Sequence, residues 1–136
     1  DTLRILIEGH ENQNAKVSVL ATDLEEPKGY GRLILDDSGG LLSIVEEADA
    51  NPEQKEIKKI NRGIYCFDKD VLLSAIELIQ PDNNQDEYYL TDVIGIATRN
   101  NDKSIAVTMD DPRQVIGVNT LEELERASRL IAELDR

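Results

Sequence analysis

The sequence predicts one α/β domain in which helices are layered against a partly parallel sheet that carries a β-hairpin excursion. Apolar runs rich in β-branched residues alternate with stretches of helical period, which is typical of layered α/β domains. Two further β-rich runs flank the turn sequence Asp37-Ser38-Gly39-Gly40, which predicts the hairpin. The 136 residues are 40% hydrophobic and 32% charged, which fits one globular domain over residues 1–136.

The first half of the chain is predicted to hold a helix, a strand and the hairpin. Residues 2–12 carry apolar side chains at helical spacing, with Asp1 placed as the N-cap. Residues 16–22 are mostly apolar and β-branched, as in a buried strand. The hairpin arms are predicted at residues 32–36 and 41–46.

The second half is predicted to alternate helices with strands. A short helix is predicted to begin with a capping box formed by Asn51, Pro52 and Gln54. A turn is predicted at Asn61-Arg62-Gly63, so that the next strand begins only after it. Asp68 and Thr120 are the predicted N-caps of longer helices. The strands are predicted at residues 63–67 and 104–109, and the longer helices at 69–79, 87–99 and 121–134.

The charge balance and the apolar pattern exclude several classes of protein. The chain has 15 basic and 28 acidic residues, a net charge of −13, and no cluster of Lys and Arg, so nucleic acid is not an expected partner. No apolar run reaches the roughly 20 residues of a membrane span. The single cysteine, Cys66, cannot form an internal disulfide, and we expect an inert core thiol in a reducing compartment, the cytoplasm.

The residues that could carry chemistry are polar groups at strand ends. The sequence has no Cys/His cluster, no Gly-x-Ser-x-Gly elbow and no Gly-rich phosphate loop, and the only histidine, His10, is expected to be exposed or flanking. Amides and carboxylates suit hydroxyl-rich ligands, and their oxygens also suit Mg²⁺. Asn residues serve equally well as turns or caps, so both interpretations stay open at this point. The candidates are Glu46, Asn61, Tyr89, Thr91 and Asn119.

A two-glycine turn precedes the hairpin, in the sequence Pro27-Lys28-Gly29-Tyr30-Gly31-Arg32. Glycine permits positive φ and lacks the Cβ that would block a ligand. The turn is therefore either a plain loop entering a strand or a place where the backbone approaches a ligand closely.

Six blocks follow one another along the whole chain in a recognisable order and spacing. They are Thr22, Pro27-Lys28-Gly29-Tyr30-Gly31-Arg32, Ile44-Val45-Glu46-Glu47-Ala48-Asp49-Ala50, Ile60-Asn61-Arg62-Gly63-Ile64-Tyr65, Glu87-Tyr88-Tyr89-Leu90-Thr91-Asp92 and Gly117-Val118-Asn119. Together they resemble the uridylyltransferase domain of the bacterial N-acetylglucosamine-1-phosphate uridylyltransferase family (UDP-N-acetylglucosamine pyrophosphorylases).

The resemblance implies a Rossmann-like nucleotide-diphospho-sugar transferase fold. It implies a cytoplasmic enzyme that makes UDP-N-acetylglucosamine, a cell-wall precursor, and pyrophosphate from UTP and N-acetylglucosamine 1-phosphate with Mg²⁺. Its partners would be these small molecules, without nucleic acid or membrane, and it is compatible with a homo-oligomeric parent. The implied site residues are the Gly31 amide on the sugar side, Glu46 and Asn61 on the sugar, Tyr89 and Thr91 around the N-acetyl group, and Asn119 on the metal.

The resemblance covers the sugar-binding half of that fold. The family's metal-binding Asp, Gly-rich nucleotide loop and uracil-binding segment have no counterpart in this sequence, and neither has an acetyltransferase β-helix. We therefore expect this chain to be inactive alone. A non-catalytic sugar-nucleotide-binding module and a related hexose-1-phosphate nucleotidylyltransferase are the alternatives. Arg62 stands where the family usually has Thr, which leaves the choice of sugar open.

Overall fold

A computed structural model of the chain describes residues 2–118 and 120–134. Asp1, the predicted N-cap, and Asn119, the predicted metal ligand, lie outside the described residues. The strands are β1 (Val17–Asp23), β2 (Arg32–Leu35), β3 (Leu41–Val45), β4 (Lys59–Phe67) and β5 (Ser104–Thr108). The helices are α1 (Thr2–Asn12), α2 (Pro52–Lys55), α3 (Lys69–Ile76), α4 (Asp92–Arg99) and α5 (Leu121–Leu134), and a 3₁₀ turn covers Pro112–Val115.

The described strands form one sheet in the order β3-β2-β4-β1-β5. The pair β1–β5 is parallel and the other pairs are antiparallel, so the predicted partly parallel sheet is confirmed. The hairpin β2–β3 was predicted as an excursion. Because Arg32 pairs with Ile60 of β4, the hairpin instead continues the sheet.

Helices cover both faces of the sheet, as an α/β layered domain requires. Val17, Val19 and Ala21 of β1 belong to the larger apolar cluster, which also contains buried residues of α3 and α4. Leu20 lies on the opposite face of β1 and packs in a smaller cluster with Leu6 of α1. This alternation follows from the two-residue period of a strand.

Strand β4 corrects one prediction of the sequence. Val19 of β1 lies opposite Tyr65, and Ala21 lies opposite Asn61, so one residue of β1 faces three residues of β4. The segment Asn61-Arg62-Gly63 was predicted to interrupt the chain, but it lies inside the strand and forms a bulge there. Gly63 allows this because it adopts φ +74°, a conformation that other residues rarely take.

Helix α4 begins at Asp92, so the prediction of a helix from residue 87 was wrong. The Asn83 side chain explains the difference, because its oxygen accepts from the backbone N–H of Glu87 and its amide group donates to the Glu87 carbonyl. These backbone groups are thereby held outside a helix. Helix α3 likewise ends at Ile76, before the predicted end at residue 79.

The predicted N-caps at Asn51, Asp68 and Thr120 and the predicted hairpin turn are confirmed. The Asn51 oxygen accepts from the Gln54 backbone at 2.8 Å while the Gln54 side chain accepts from the Asn51 backbone at 2.9 Å. Thr120 and Glu123 form the same reciprocal box at the start of α5. Helix α1 buries only Leu6, so the predicted apolar face is largely open. Among the described helices, none has the length and apolar character that crossing a membrane requires.

Candidate functional site

Four of the residues predicted to bind a ligand meet where β2, β3 and β4 come closest to the start of α4. Gly31 precedes β2, Glu46 follows β3, Asn61 lies in β4, and Thr91 precedes α4. With Tyr65, which contacts Asn61, these residues are called the polar cluster below. Their convergence does not follow from spacing, because it depends on the bulge in β4 and on the irregular segment before α4.

Glu46 is the charged centre of the polar cluster. The Thr91 hydroxyl is buried and donates to Glu46 Oε1 at 2.9 Å. The other carboxylate oxygen, Oε2, faces Gly31, where an added Cβ would lie 3.1 Å from it. No hydrogen bond to Oε2 occurs within residues 2–118 and 120–134. One oxygen of this half-buried carboxylate is therefore fixed, and the other is open to a donor.

Asn61 is held by three hydrogen bonds. Its backbone N–H donates to the Gly31 carbonyl at 2.9 Å, and its side-chain Nδ2 donates to the Tyr65 hydroxyl at 2.7 Å. Its Oδ1 accepts from the Gly63 backbone at 2.8 Å, which fixes the orientation of the amide group. Burial, together with the charge of Glu46, raises the pKa of Tyr65, so this hydroxyl stays protonated at neutral pH.

Tyr89 lies at the rim of the polar cluster and is half-buried. Its hydroxyl accepts from Gln85 Nε2 at 2.8 Å, and desolvation together with the charge of Asp49 raises the pKa of Tyr89. The Asn84 backbone donates to Asp49 Oδ1 at 2.8 Å, so the loop before Tyr89 is tied to the segment that follows Glu46. A cavity of about 410 Å³ opens beside Thr91 on the α4 side.

Three residues near this site were not predicted to take part in it. Tyr65 orients Asn61, and Asp49 ties down the loop before Tyr89. Asp92 follows Thr91, and its burial and the charge of Asp49 raise its pKa. All three lie inside sequence blocks that had been singled out. The contact of Asp49 joins segments far apart in the chain, whereas Tyr65 reaches Asn61 across the bulge of the same strand.

The buried side chain of Arg32, which is only 2% exposed, supports the two-glycine turn. Its guanidinium donates to the carbonyls of Ile57 at 3.1 Å and Tyr30, and it pairs with Glu47 at 2.7 Å. Burial alone would raise the pKa of Glu47. The hydrogen bond and the charge of the Arg32 guanidinium have the larger combined effect, so the pKa of Glu47 lies below its usual value. Gly29 adopts φ +86° within the turn.

Several predicted residues lie away from the polar cluster. Arg62, which stands where the family usually has Thr, donates to the Val115 carbonyl and lies over the Tyr30 ring. His10, expected to be exposed or flanking, is half-buried with Nδ1 2.8 Å from Ser18 Oγ. The Cys66 thiol has a pKa raised by burial, as an inert thiol should. In the part of the chain that the structure describes, no group of three His, Cys, Asp or Glu side chains is arranged for a metal ion.

Comparison with known proteins gives one consistent picture. The sequence profile of the nucleotidyl transferase family matches residues 1–121. The bifunctional protein GlmU of Heliobacterium modesticaldum is 42% identical over 132 residues, which are 97% of this chain and 29% of that protein. The GlmU of Caldicellulosiruptor saccharolyticus is 45% identical over 124 residues, 91% of this chain and 27% of that protein. The chain thus spans less than a third of the length of these relatives.

A solved structure confirms the fold. A Bacillus anthracis protein assigned as a glucose-1-phosphate thymidylyltransferase, solved with sucrose, superposes with a TM-score of 0.68 at 22% identity. The match covers 96% of this chain and 49% of that protein. At this level of identity the similarity concerns the fold, which agrees with the predicted nucleotidyltransferase type of α/β domain.

Proposed function

The chain belongs to the nucleotidyl transferase family, and we propose that its polar cluster binds the sugar in an enzyme that makes UDP-N-acetylglucosamine and pyrophosphate from UTP and N-acetylglucosamine 1-phosphate. The observation that carries this proposal is the open Oε2 of Glu46, which faces Gly31 while Thr91 fixes the other oxygen. The similarity of nearly the whole chain to two GlmU proteins supports it.

Each member of the polar cluster has a capacity that suits a sugar. A carboxylate accepts hydrogen bonds from hydroxyls, and Glu46 is already oriented for this by Thr91. Asn61 uses one of its two Nδ2 hydrogens on Tyr65, which leaves the second for a sugar oxygen. Tyr89 and Thr91 would border the N-acetyl group. Fixed groups of this kind lose little entropy when a ligand binds.

The proposed reaction needs no nucleophile from the protein. An oxygen of the sugar phosphate forms a bond to the α-phosphorus of UTP, and the bond from that phosphorus to the bridging oxygen of pyrophosphate breaks. Catalysis of such a transfer rests on positioning and on neutralisation of charge. The contribution of this chain would be the first of these, because the polar cluster orients the sugar whose phosphate attacks.

Magnesium enters only as an expectation from the family resemblance. Asn119, its predicted ligand, lies outside the described residues, and the described residues alone offer no metal site. A magnesium ion with a single amide ligand would need carboxylates or phosphates to complete its shell. The described residues therefore do not fit the ion, and no step above depends on it.

A binding experiment with matched sugars tests the proposal on this chain. Calorimetry should show saturable binding of N-acetylglucosamine 1-phosphate, with glucose 1-phosphate bound about tenfold or more weakly, since about 1.4 kcal/mol corresponds to a factor of ten. Equal affinity for the two sugars would favour a related hexose-1-phosphate nucleotidylyltransferase. Absence of binding to both would contradict the assignment of the polar cluster.

An activity assay separates the enzyme from a binding module. We expect this chain alone to bind the sugar phosphate without releasing pyrophosphate from UTP, because the described residues include no phosphate-binding loop for UTP. Release of pyrophosphate by this chain would show that the chain binds UTP and catalyses the transfer by itself. If sugar binding persists but a protein of the full length of the relatives also shows no release, the non-catalytic binding module is the better description.

A further inference from the structure

A second cavity, separate from the polar cluster, lies between the bulge in β4 and the start of α5. Its volume is about 240 Å³, and Arg62, Arg113 and Arg126 line it together with Glu123 and the apolar residues Leu24 and Ile116. This set of residues is called the arginine pocket below. Three arginines around one small cavity are unexpected in a chain with a net charge of −13.

Arg62 is held in a fixed orientation beside this cavity. Its guanidinium carbon lies 5.4 Å from the centroid of the Tyr30 ring, a cation–π arrangement, and one terminal nitrogen donates to the Val115 carbonyl. Its Nε is buried and finds no hydrogen-bond acceptor among the described residues. A buried donor without an acceptor is costly, so a ligand oxygen that reached this Nε would remove that cost.

The local charges favour a small anion. Arg113 is neutralised by Asp111, which accepts from its Nε at 2.9 Å and from a terminal nitrogen at 2.8 Å. Glu123 also lines the pocket, and its carboxylate accepts from the Thr120 backbone at 2.9 Å. Neither Arg62 nor Arg126 forms an ion pair with a carboxylate of the described residues. Two guanidinium groups at the arginine pocket, those of Arg62 and Arg126, are therefore not neutralised by an ion pair within the described residues.

We propose that the arginine pocket binds a phosphate group. Guanidinium groups present several N–H donors in one plane and match the oxygens of phosphate better than an ammonium group does. The volume admits inorganic phosphate or pyrophosphate, which share this chemistry. The site is distinct from the polar cluster and does not depend on the function proposed above.

Titration with inorganic phosphate and with pyrophosphate tests the proposal on the chain itself. We expect saturable shifts in an NMR spectrum at the Gly117 amide and at the Arg62 Nε–H, with a dissociation constant of about millimolar order. Chloride at matched ionic strength serves as the control for screening. Tighter binding of pyrophosphate than of phosphate would identify a diphosphate as the better ligand, and the reverse order would identify a single phosphate group.

Two variants and a matched control complete the test. Arg126→Gln, at an exposed position, and Arg62→Gln should each weaken binding about tenfold, which is the effect of losing one charge-assisted hydrogen bond. Arg129→Gln lies one turn from Arg126 on the same helix, outside the arginine pocket, and should leave the affinity unchanged. Equal losses in all three variants, or shifts that grow linearly without saturation, would overturn the proposal. Arg126→Gln remains informative if Arg62→Gln does not fold.

Discussion

Two glycine pairs with the same chemistry serve different purposes in this molecule. In the pair Gly29/Gly31, Gly29 adopts φ +86°, and a Cβ on Gly31 would meet Glu46 Oε2 at 3.1 Å. In the pair Gly39/Gly40, Gly39 also adopts φ +86°, and a Cβ on Gly40 would lie 2.7 Å from an oxygen of Asp36. Each pair thus has one glycine for the backbone angle and one for space beside a carboxylate.

The carboxylates decide what each turn can do. Asp36 Oδ1 accepts from the Ser38 backbone at 2.9 Å, the Ser38 hydroxyl at 2.7 Å and the Gly40 backbone at 2.8 Å, so the hairpin turn itself supplies three donors to its carboxylate. Asp36 Oδ2 accepts no hydrogen bond from the described residues. Glu46 receives one hydrogen bond, from Thr91, and its second oxygen stays open within the described residues. The Asp36 carboxylate is therefore held by three donors of its own turn, which is a structural role, whereas Glu46 is held by a single donor from a distant segment and has more capacity left for a ligand.

The largest effect on stability is expected from the residue behind the two-glycine turn. Arg32→Gln should lower the free energy of unfolding by about 3 kcal/mol, because it leaves Glu47 and several backbone carbonyls without their buried partner. Chemical denaturation measures this change. Arg129→Gln is the control, since its exposed pair with Glu125 contributes at most a few tenths of a kcal/mol. A similar small loss for both variants would show that the turn needs no support from Arg32.

The largest effect on binding is expected at Glu46. Glu46→Ala should weaken binding of N-acetylglucosamine 1-phosphate by about 1–3 kcal/mol, the range for hydrogen bonds to a charged group. Asp36→Ala is the matched control at the hairpin turn. It should lower the thermal midpoint without changing the affinity for the sugar phosphate, because the Asp36 carboxylate binds donors of its own turn. Calorimetry and thermal unfolding on both variants separate the two roles. Loss of affinity for the sugar phosphate in Asp36→Ala would contradict the assignment of a purely structural role to Asp36.

The space beside each carboxylate can be filled with a single methyl group. Gly31→Ala should reduce sugar affinity about tenfold, because the Cβ would crowd Glu46 Oε2 and Ile44 Cγ2, which lie 3.1 and 3.0 Å away. Gly40→Ala displaces Asp36 and should leave the affinity unchanged while lowering the thermal midpoint. If Gly31→Ala binds the sugar as tightly as the unchanged chain, the open oxygen is not where the ligand sits.

Thr91 tests whether the fixed oxygen matters as well as the open one. Thr91→Val keeps the shape but removes the hydroxyl that donates to Glu46 Oε1, and it should weaken sugar binding by about 1 kcal/mol. Thr91→Ser keeps the hydroxyl and should retain most of the affinity. Equal affinities for the two variants would mean that Glu46 needs no orientation by Thr91.

The sequence predicts the caps and the strands well because each depends on a few neighbouring residues. Asn51 with Gln54 forms the expected capping box, and the residues of β5 show the expected run of β-branched side chains. Local patterns could not reveal the bulge at Gly63 or the late start of α4, because the first depends on pairing with β1 and the second on hydrogen bonds of Asn83. The polar cluster depends on both features. Its residues were predicted from the resemblance to a family, whereas the partners Tyr65 and Asp49 needed the fold.

The smallest effect is the pH dependence of the hairpin turn. The Ser38 hydroxyl, with the Gly40 backbone, holds the pKa of Asp36 below its usual value. A depressed pKa means that the folded state favours the carboxylate. Its contribution to stability is therefore complete above the unfolded pKa of about 3.9 and disappears as the pH falls through the lower folded value. The thermal midpoint of the unchanged chain should accordingly approach that of Asp36→Asn as the pH falls below about 4.

Ser38→Ala identifies the group responsible, because it removes the donor with the largest influence on Asp36. NMR titration of the Asp36 carboxyl should give a higher pKa in this variant than in the unchanged chain. If the two values agree, the Ser38 hydroxyl does not stabilise the carboxylate. Asp36 would then be held, like Glu46, without a decisive side-chain donor of its own turn, and the backbone donors of Ser38 and Gly40 would be what sets the two turns apart.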